Sequence, residues 1–191
     1  SQRVPEKYHV LRYPQPPAVL QPTLNMAQVG QQLAPMVAID RYFSDLVAAN
    51  SNLRVRVANP DEMRSNRMNL TLDRIKHRVL DVELDNAEAL EGGVITALNE
   101  EAVVSAVLAN KQGLNIAVSY EAFAVKMLGA MRQEAIFARH LSETGRVPQW
   151  LSVPIVVTSH TWENGKNEQS HQDPTLSEAW LGEMSDVAPV L

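Results

Sequence analysis

An α/β domain, built as a parallel sheet with helices on both faces, is the fold class this sequence predicts. Three observations carry that reading. Short β-branched apolar runs, Val94-Ile95, Leu114 to Val118 and Val153 to Thr158, alternate with stretches of helical periodicity. The runs are continuous rather than alternating, which is the pattern of parallel strands buried on both faces. Helix punctuation falls between them: Asn99 stands as an N-cap before Glu100 and Glu101, and Gly113 and Gly145 stand as stops.

The elements follow in order. Residues 1–24 hold Pro5, Pro14, Pro16, Pro17 and Pro22 with few periodic apolar positions, which predicts an extended linker ahead of a domain over 25–191. Met26, Val29, Leu33, Val37, Phe43, Leu46 and Val47 recur near helical spacing, so 25–50 is expected to be helical with an interruption at Pro35. Leu53, Val55 and Val57 alternate with Arg54 and Arg56, as in a strand with one wet face, and 66–77 reads as a short helix. An acidic stretch, Asp81 to Glu91, leads to a Gly92-Gly93 turn and the strand Val94-Ile95. The helix capped by Asn99 runs through Ala102 to Leu108. After the strand from Leu114, Phe123, Met127, Met131 and Ala135 mark one face of a long helix ending at Gly145. Strand 153–158 closes the series, and Val187 to Leu191 reads as the start of another strand, so the chain is expected to be a fragment of a longer protein.

Composition excludes several classes. The chain has 191 residues, 45% apolar and 20% charged, ordinary for a soluble globular domain. A net charge of -5 supplies no basic footprint for nucleic acid. The absence of cysteine removes disulfides, thiolate metal sites and a cysteine nucleophile, and suits a reducing compartment. No apolar run approaches membrane-spanning length and no signal peptide opens the chain, which makes the cytoplasm the default.

Candidate chemistry concentrates where the strands end. Past Thr158 come Ser159-His160-Thr161-Trp162 and then Ser170-His171-Gln172-Asp173-Pro174. Ligands of open α/β sheets bind beyond the carboxyl ends of the strands. His160, His171 and Asp173 have no standard metal-ligand spacing, so no metal site is expected, and two loop histidines taken alone are ordinary hydrogen-bonding groups. Glu100 and Glu101, taken alone, are a solvated pair favouring a helix dipole. Tyr120 and Phe123, taken alone, are core aromatics.

The wording of four segments goes further. The S-H-x-W and S-H-Q-D-P pair just quoted, Asn59-Pro60-Asp61-Glu62-Met63-Arg64-Ser65-Asn66, Ala97-Leu98-Asn99-Glu100-Glu101 and Ser119-Tyr120-Glu121-Ala122-Phe123 together resemble the phosphoketolases, thiamine-diphosphate enzymes related to transketolase. One such motif is weak; four in the family's order are far more specific. The resemblance places this chain in the family's middle, pyrimidine-binding domain, with that domain's fold. It implies a lyase that cleaves a ketose phosphate, such as xylulose 5-phosphate or fructose 6-phosphate, with inorganic phosphate. The products are acetyl phosphate and a shorter aldose phosphate.

The resemblance also assigns roles. Glu100 faces the aminopyrimidine ring nitrogen and shares a proton with it. Tyr120 and Phe123 flank the ring, and Glu62 lies near the cofactor at a subunit boundary. Ser65, Lys166, Asn167 and His171 approach the substrate, Ser65 near its phosphate. His160 and His171 act as hydrogen-bond donors and proton shuttles. Lys166 departs from the family pattern, which carries histidine there; a lysine holds phosphate as a point charge. That departure motivates the rival reading of a transketolase-like or other thiamine enzyme, and a non-catalytic scaffold is the rival from another class. Magnesium and the diphosphate are expected on a domain outside this chain. A homo-oligomer is expected, because the family's cofactor lies between subunits, and the fragment alone is expected to be inert.

Overall fold

The computed structural model describes residues 19–21, 30, 32, 34–84, 86–146, 149–158 and 174–183. Helix α1 (Pro35–Ala49) starts with Pro35 in its first turn, where a missing N–H costs nothing. The helix expected over 25–50 is present from Pro35 onward, and most of 25–34 lies outside the described residues. Asn50 closes α1 and is buried: its Nδ2 donates to the carbonyls of Leu46 and Leu20, both at 2.8 Å, and its Oδ1 accepts from the Leu20 amide at 2.7 Å. The described part of the proline-rich segment, 19–21, is thus pinned to the end of α1.

Strand β1 (Val55–Ala58) follows, then α2 (Asn69–Ile75) and two-residue strands β2 (His77–Arg78), β3 (Glu88–Ala89) and β4 (Val94–Ile95). Helix α3 (Glu100–Leu108) leads to β5 (Leu114–Tyr120), the longest described strand. Helix α4 (Glu121–Ala124), a 3₁₀ turn (Val125–Met127) and α5 (Leu128–Glu143) come next, then β6 (Ile155–Thr158) and α6 (Thr175–Gly182). Among the described residues the sheet has six strands in the order β3-β2-β4-β1-β5-β6, and every pairing is parallel. The predicted class, a parallel sheet with helices on both faces, is what the structure shows.

Alternate side chains of the sheet feed two cores. Val57, Val94, Ile116 and Val118 meet Phe43 and Val47 of α1 and Leu72 of α2 on one face. Ala58 and Ala117 meet Val103, Val104 and Val107 of α3, Met127, Met131 of α5, and Leu176 and Trp180 of α6 on the other. Small residues on the second face let α3 lie close across β1 and β5. The connections carry the chain from β1 outward to β2 and β3, back to β4, and across β1 to β5, so β1 sits where the winding changes direction.

Several elements depart from the sequence reading, each for a physical reason. Strand β1 is central, and the wet face expected from Arg54 and Arg56 is partly covered: Arg54 is exposed, while Arg56 is half-buried and its guanidinium donates to the Val55 carbonyl at 3.0 Å. Burial, with Arg78 and Arg54 nearby, lowers its pKa. Strand β6 ends the sheet among the described residues and is only half-buried, although its apolar run is continuous; the strand expected from Val187 to Leu191 lies outside the described residues. Ile155 and Val157 pack on one core and Val156 on the other, which accounts for the run. The long helix after β5 is broken by the 3₁₀ turn at Val125–Met127. Strands β2 and β3 and helix α6 have no counterpart in the sequence reading; β2 and β3 are too short to show a period. Gly145, at φ +72°, ends the last turn after α5 as expected.

The amino ends of β1 and β5 are closed by a satisfied polar network. Asn110 accepts from Arg54 Nε at 2.7 Å and donates to the Asn115 side chain at 2.8 Å, and Asn115 donates to the Asn110 carbonyl at 3.0 Å. Gly113 belongs to it sterically, since a Cβ there would stand 2.1 Å from the Arg54 carbonyl oxygen.

Candidate active site at the carboxyl ends of the strands

Because all strands run parallel, the segments after β1, β4, β5 and β6 emerge at one edge of the sheet. The segment after β1 is a loop, Asn59 to Met68, held by two amides. Asn59 is fully buried; its Oδ1 accepts from the Glu62 amide at 2.7 Å and its Nδ2 donates to the Val118 carbonyl of β5 at 2.9 Å. Asn66 donates from Nδ2 to the Glu62 carbonyl at 2.8 Å and accepts from Thr158 Oγ1, at the end of β6, at 2.5 Å. Three strand ends are thereby tied to one loop. Arg67 takes the left-handed conformation, φ +59°, within that loop, a strain held by the surrounding hydrogen bonds.

Tyr120 closes β5 and is buried. Its hydroxyl hydrogen-bonds the side chains of Glu62 and Ser65. Burial first, then the Glu62 contact, pushes its pKa up to about 12. Asp61 is exposed beside them, and its carboxyl is raised by desolvation and by the negative charges of Glu62 and Glu100. That coupling puts Asp61, Glu62 and Glu100 within one electrostatic neighbourhood.

Glu100 is the first residue of α3. Asn99 caps the helix as the sequence predicts, its Oδ1 accepting from the Ala102 amide at 2.9 Å. The two acids that open the helix part company. Glu101 is exposed and reaches toward α5, where its Oε1 lies 3.3 Å from the position of a Cβ on Gly129. Glu100 turns inward and is 5% exposed. Its Oε2 is fully enclosed and accepts no hydrogen bond from any described residue. Lys126 Nζ stands 3.2 Å from that oxygen, at ion-pair distance but off the direction of a hydrogen bond. The same ammonium lies 5.4 Å from the centroid of the Phe123 ring. A buried carboxylate oxygen that accepts no hydrogen bond from a described residue is uncommon in a folded domain and marks Glu100 as a candidate for chemistry.

A cleft of about 630 Å³ opens on the far side of the loop, lined by Glu62, Arg64, Ser65, His77 and Thr96 among others. His77 Nδ1 lies 2.9 Å from Thr96 Oγ1. Arg64 is paired with Asp73 at 3.1 Å.

Of the residues singled out in the sequence, Glu62, Ser65, Glu100, Tyr120 and Phe123 lie at this one edge. His160, Lys166, Asn167 and His171 lie outside the described residues. The sequence reading gives no role to Asn59, Asn66 or Lys126. The first two carry a legible signal, a short amide side chain opening or closing a loop that follows a buried strand. Lys126 carries none, because its direction depends on the 3₁₀ turn. Among the described residues no group of three acidic or histidine side chains converges as metal ligands, and no helix is long and apolar enough to cross a membrane.

Comparison with known proteins places the chain. It is 33% identical over 164 residues to a probable phosphoketolase of Bifidobacterium animalis subsp. lactis (strain AD011), covering 80% of this chain and 19% of that protein. It is 28% identical over 167 residues to a probable phosphoketolase of Clostridium acetobutylicum, covering 81% of this chain and 20% of that protein. The chain thus spans about a fifth of the length of these relatives. The sequence profile of the D-xylulose 5-phosphate/D-fructose 6-phosphate phosphoketolases matches residues 37–191, which is most of the chain and includes all of the site just described. By that match the chain belongs to the phosphoketolase family.

Proposed function

We infer that residues 25–191 are the pyrimidine-binding domain of a thiamine-diphosphate-dependent phosphoketolase, with 1–24 as the linker leading into it. The reading is that the parent cleaves a ketose phosphate with inorganic phosphate and releases acetyl phosphate and an aldose phosphate. The observation that supports it best is Glu100: a buried carboxyl at a helix start whose Oε2 accepts no hydrogen bond from a described residue, paired with a lysine ammonium that lies over the Phe123 ring.

The residues present fit the aminopyrimidine half of the cofactor. When bound, thiamine diphosphate supplies the carbanion chemistry. Glu100 holds a proton at its free oxygen against the ring. Tyr120, fixed by Glu62 and Ser65, and Phe123 orient the ring and exclude water. Glu62 thereby acts through Tyr120 as a positioning residue, and Ser65, exposed at the cleft, faces the substrate phosphate. His160, His171, Lys166 and Asn167 complete the substrate side in this reading. The diphosphate and its magnesium fall to another domain of the parent, since no glycine-rich loop here leads into a helix N-terminus.

The test is an assay of the full-length parent and its Glu100→Gln variant for phosphate-dependent acetyl phosphate release. The variant keeps the shape and loses the shared proton, so turnover is expected to fall at least about a hundredfold, with substrate binding far less affected. An unimpaired variant overturns the role of Glu100. Transfer of the two-carbon unit to an aldose, with no acetyl phosphate, overturns the phosphoketolase reading in favour of a transketolase-like one.

A further inference from the structure

Lys126 is the feature of the site that the proposed chemistry leaves unexplained. It sits on the 3₁₀ turn Val125–Met127, a change of winding between α4 and α5. That turn sends its side chain back toward the sheet edge. Its Nζ is 3.2 Å from Glu100 Oε2 and 5.4 Å from the Phe123 ring centroid, so the cation stands between a buried acid and an aromatic face. Those two groups are the ones the reading above assigns to the aminopyrimidine. The lysine is 60% exposed at the side chain while its partner is 7% exposed. The asymmetry matters: Lys126 has solvent to retreat into, and Glu100 does not. The long aliphatic stem lets the ammonium leave without moving the backbone. Ion pairing off the hydrogen-bond direction leaves the Oε2 lone pair unused, so the contact satisfies charge without satisfying the acceptor.

We propose that Lys126 is a built-in competitor for the aminopyrimidine subsite, a side-chain latch that pairs with Glu100 over the Phe123 ring until the cofactor ring displaces it. The proposal rests on the cofactor reading of Glu100 and adds a determinant of cofactor affinity to it. With the latch in place, ring binding must break the Lys126–Glu100 pair, and the lysine moves to water. Removing the charge leaves Glu100 with no ion-pair partner to give up. The ring then binds without that exchange, and affinity rises because the competent arrangement is already populated.

The experiment uses this 191-residue chain and 4-amino-5-hydroxymethyl-2-methylpyrimidine as the probe. Binding is followed by NMR at the Glu100 side-chain and Phe123 ring signals. For the wild-type chain the expected binding is weak. For Lys126→Met it should be at least about tenfold tighter, a change of about 1.4 kcal/mol. Lys126→Arg keeps the cation and should bind as weakly as wild type, and Lys126→Met with Glu100→Gln should lose the gain. Added salt should strengthen binding to the wild type and leave Lys126→Met unchanged, since only the former must break an ion pair. Thermal melting of each variant establishes that it is folded. Equal affinity of wild type and Lys126→Met, with shifts at Glu100 and Phe123, overturns the latch and leaves the cofactor site standing. Binding with no shift at Glu100 or Phe123 overturns the cofactor site itself, and the latch with it; no binding to folded Lys126→Met overturns the latch, which requires that variant to bind.

Discussion

Asp61 shows what gathering acidic side chains at the candidate site costs at the scale of one residue. Its carboxyl is raised by desolvation, by Glu62 and by Glu100, so the fold disfavours its charged form. A carboxyl raised on folding contributes stability at low pH that is lost as pH rises through its folded value; at neutral pH the ionised Asp61 is therefore a net burden. Asp61→Asn should raise the melting temperature at pH 7. The gain should vanish below about pH 4, where the unfolded carboxyl is itself protonated. A variant that melts lower than wild type at pH 7 would contradict the assignment of like-charge strain. Tyr120 titrates at the other end of the scale. Its hydroxyl is raised to about 12, so the neutral form is favoured by the fold, and the stability it gives is full below about pH 10 and lost as pH rises toward 12. In ¹³C-tyrosine NMR one ring signal should titrate later than the unperturbed range, and Tyr120→Phe should remove that signal. A set of tyrosines all titrating near 10 would sink the Glu62–Tyr120–Ser65 contact. Asp61 and Tyr120 were both legible as members of motifs; the contact that links Tyr120 to Glu62 and Ser65 was not, because it joins residues 55 to 58 positions apart.

Elements at this edge are held by partners from other elements rather than by their own caps. Helix α2 is seven residues long, and its own N-cap, Met68, supplies no side-chain hydrogen bond. Asp40 of α1 does so instead: it is buried, its Oδ2 accepts from the Leu70 amide at 2.8 Å and its Oδ1 from the Thr71 amide at 2.9 Å. Isolated helices of this length do not persist in water, so α2 depends on this cap and on Leu72 in the core. Asp40→Ala should cost about 2 kcal/mol of unfolding free energy in a denaturant melt. Because α2 follows directly from the Asn59–Met68 loop, hydrogen exchange should also rise at the amides of 62–72. A loss confined to α1 would show that Asp40 is no cap. The Asn99 cap, by contrast, was legible, since capping residue and capped amide are three positions apart. The 3₁₀ turn before α5 was not legible, because Phe123, Met127 and Met131 keep helical spacing across it.

Across the whole molecule, what the sequence made legible is what repeats locally: the strand and helix periods, the glycine stops, and hence the parallel α/β class. What it left open are the features set by long-range contact, such as the half-burial of Arg56 and the two-residue strands β2 and β3. The same distinction governs the surface. Leu80 and Leu84, between β2 and β3, are 102% and 59% exposed, Leu90, just after β3, is 56% exposed, and Leu98, before α3, is 82% exposed. Large apolar side chains at that exposure are unfavourable in a chain that functions bare, and they fit surface covered by other parts of a larger assembly. The relatives, of which this chain spans about a fifth, supply the length for such a cover. Hydrophobic burial is non-directional, so when that cover is missing these leucines are expected to find each other. The 191-residue chain should therefore self-associate as its concentration rises. Sedimentation velocity should show a shift toward larger species that Leu84→Ser with Leu90→Ser weakens, because the pair removes two of the four exposed side chains without touching either core. Both positions are exposed, so the double variant should melt within about 1 kcal/mol of wild type, and the change in association is then attributable to the surface alone. A wild-type chain that stays monomeric across the accessible concentration range would show that the leucines need no cover, and the argument for a subunit or domain packed on them would fall.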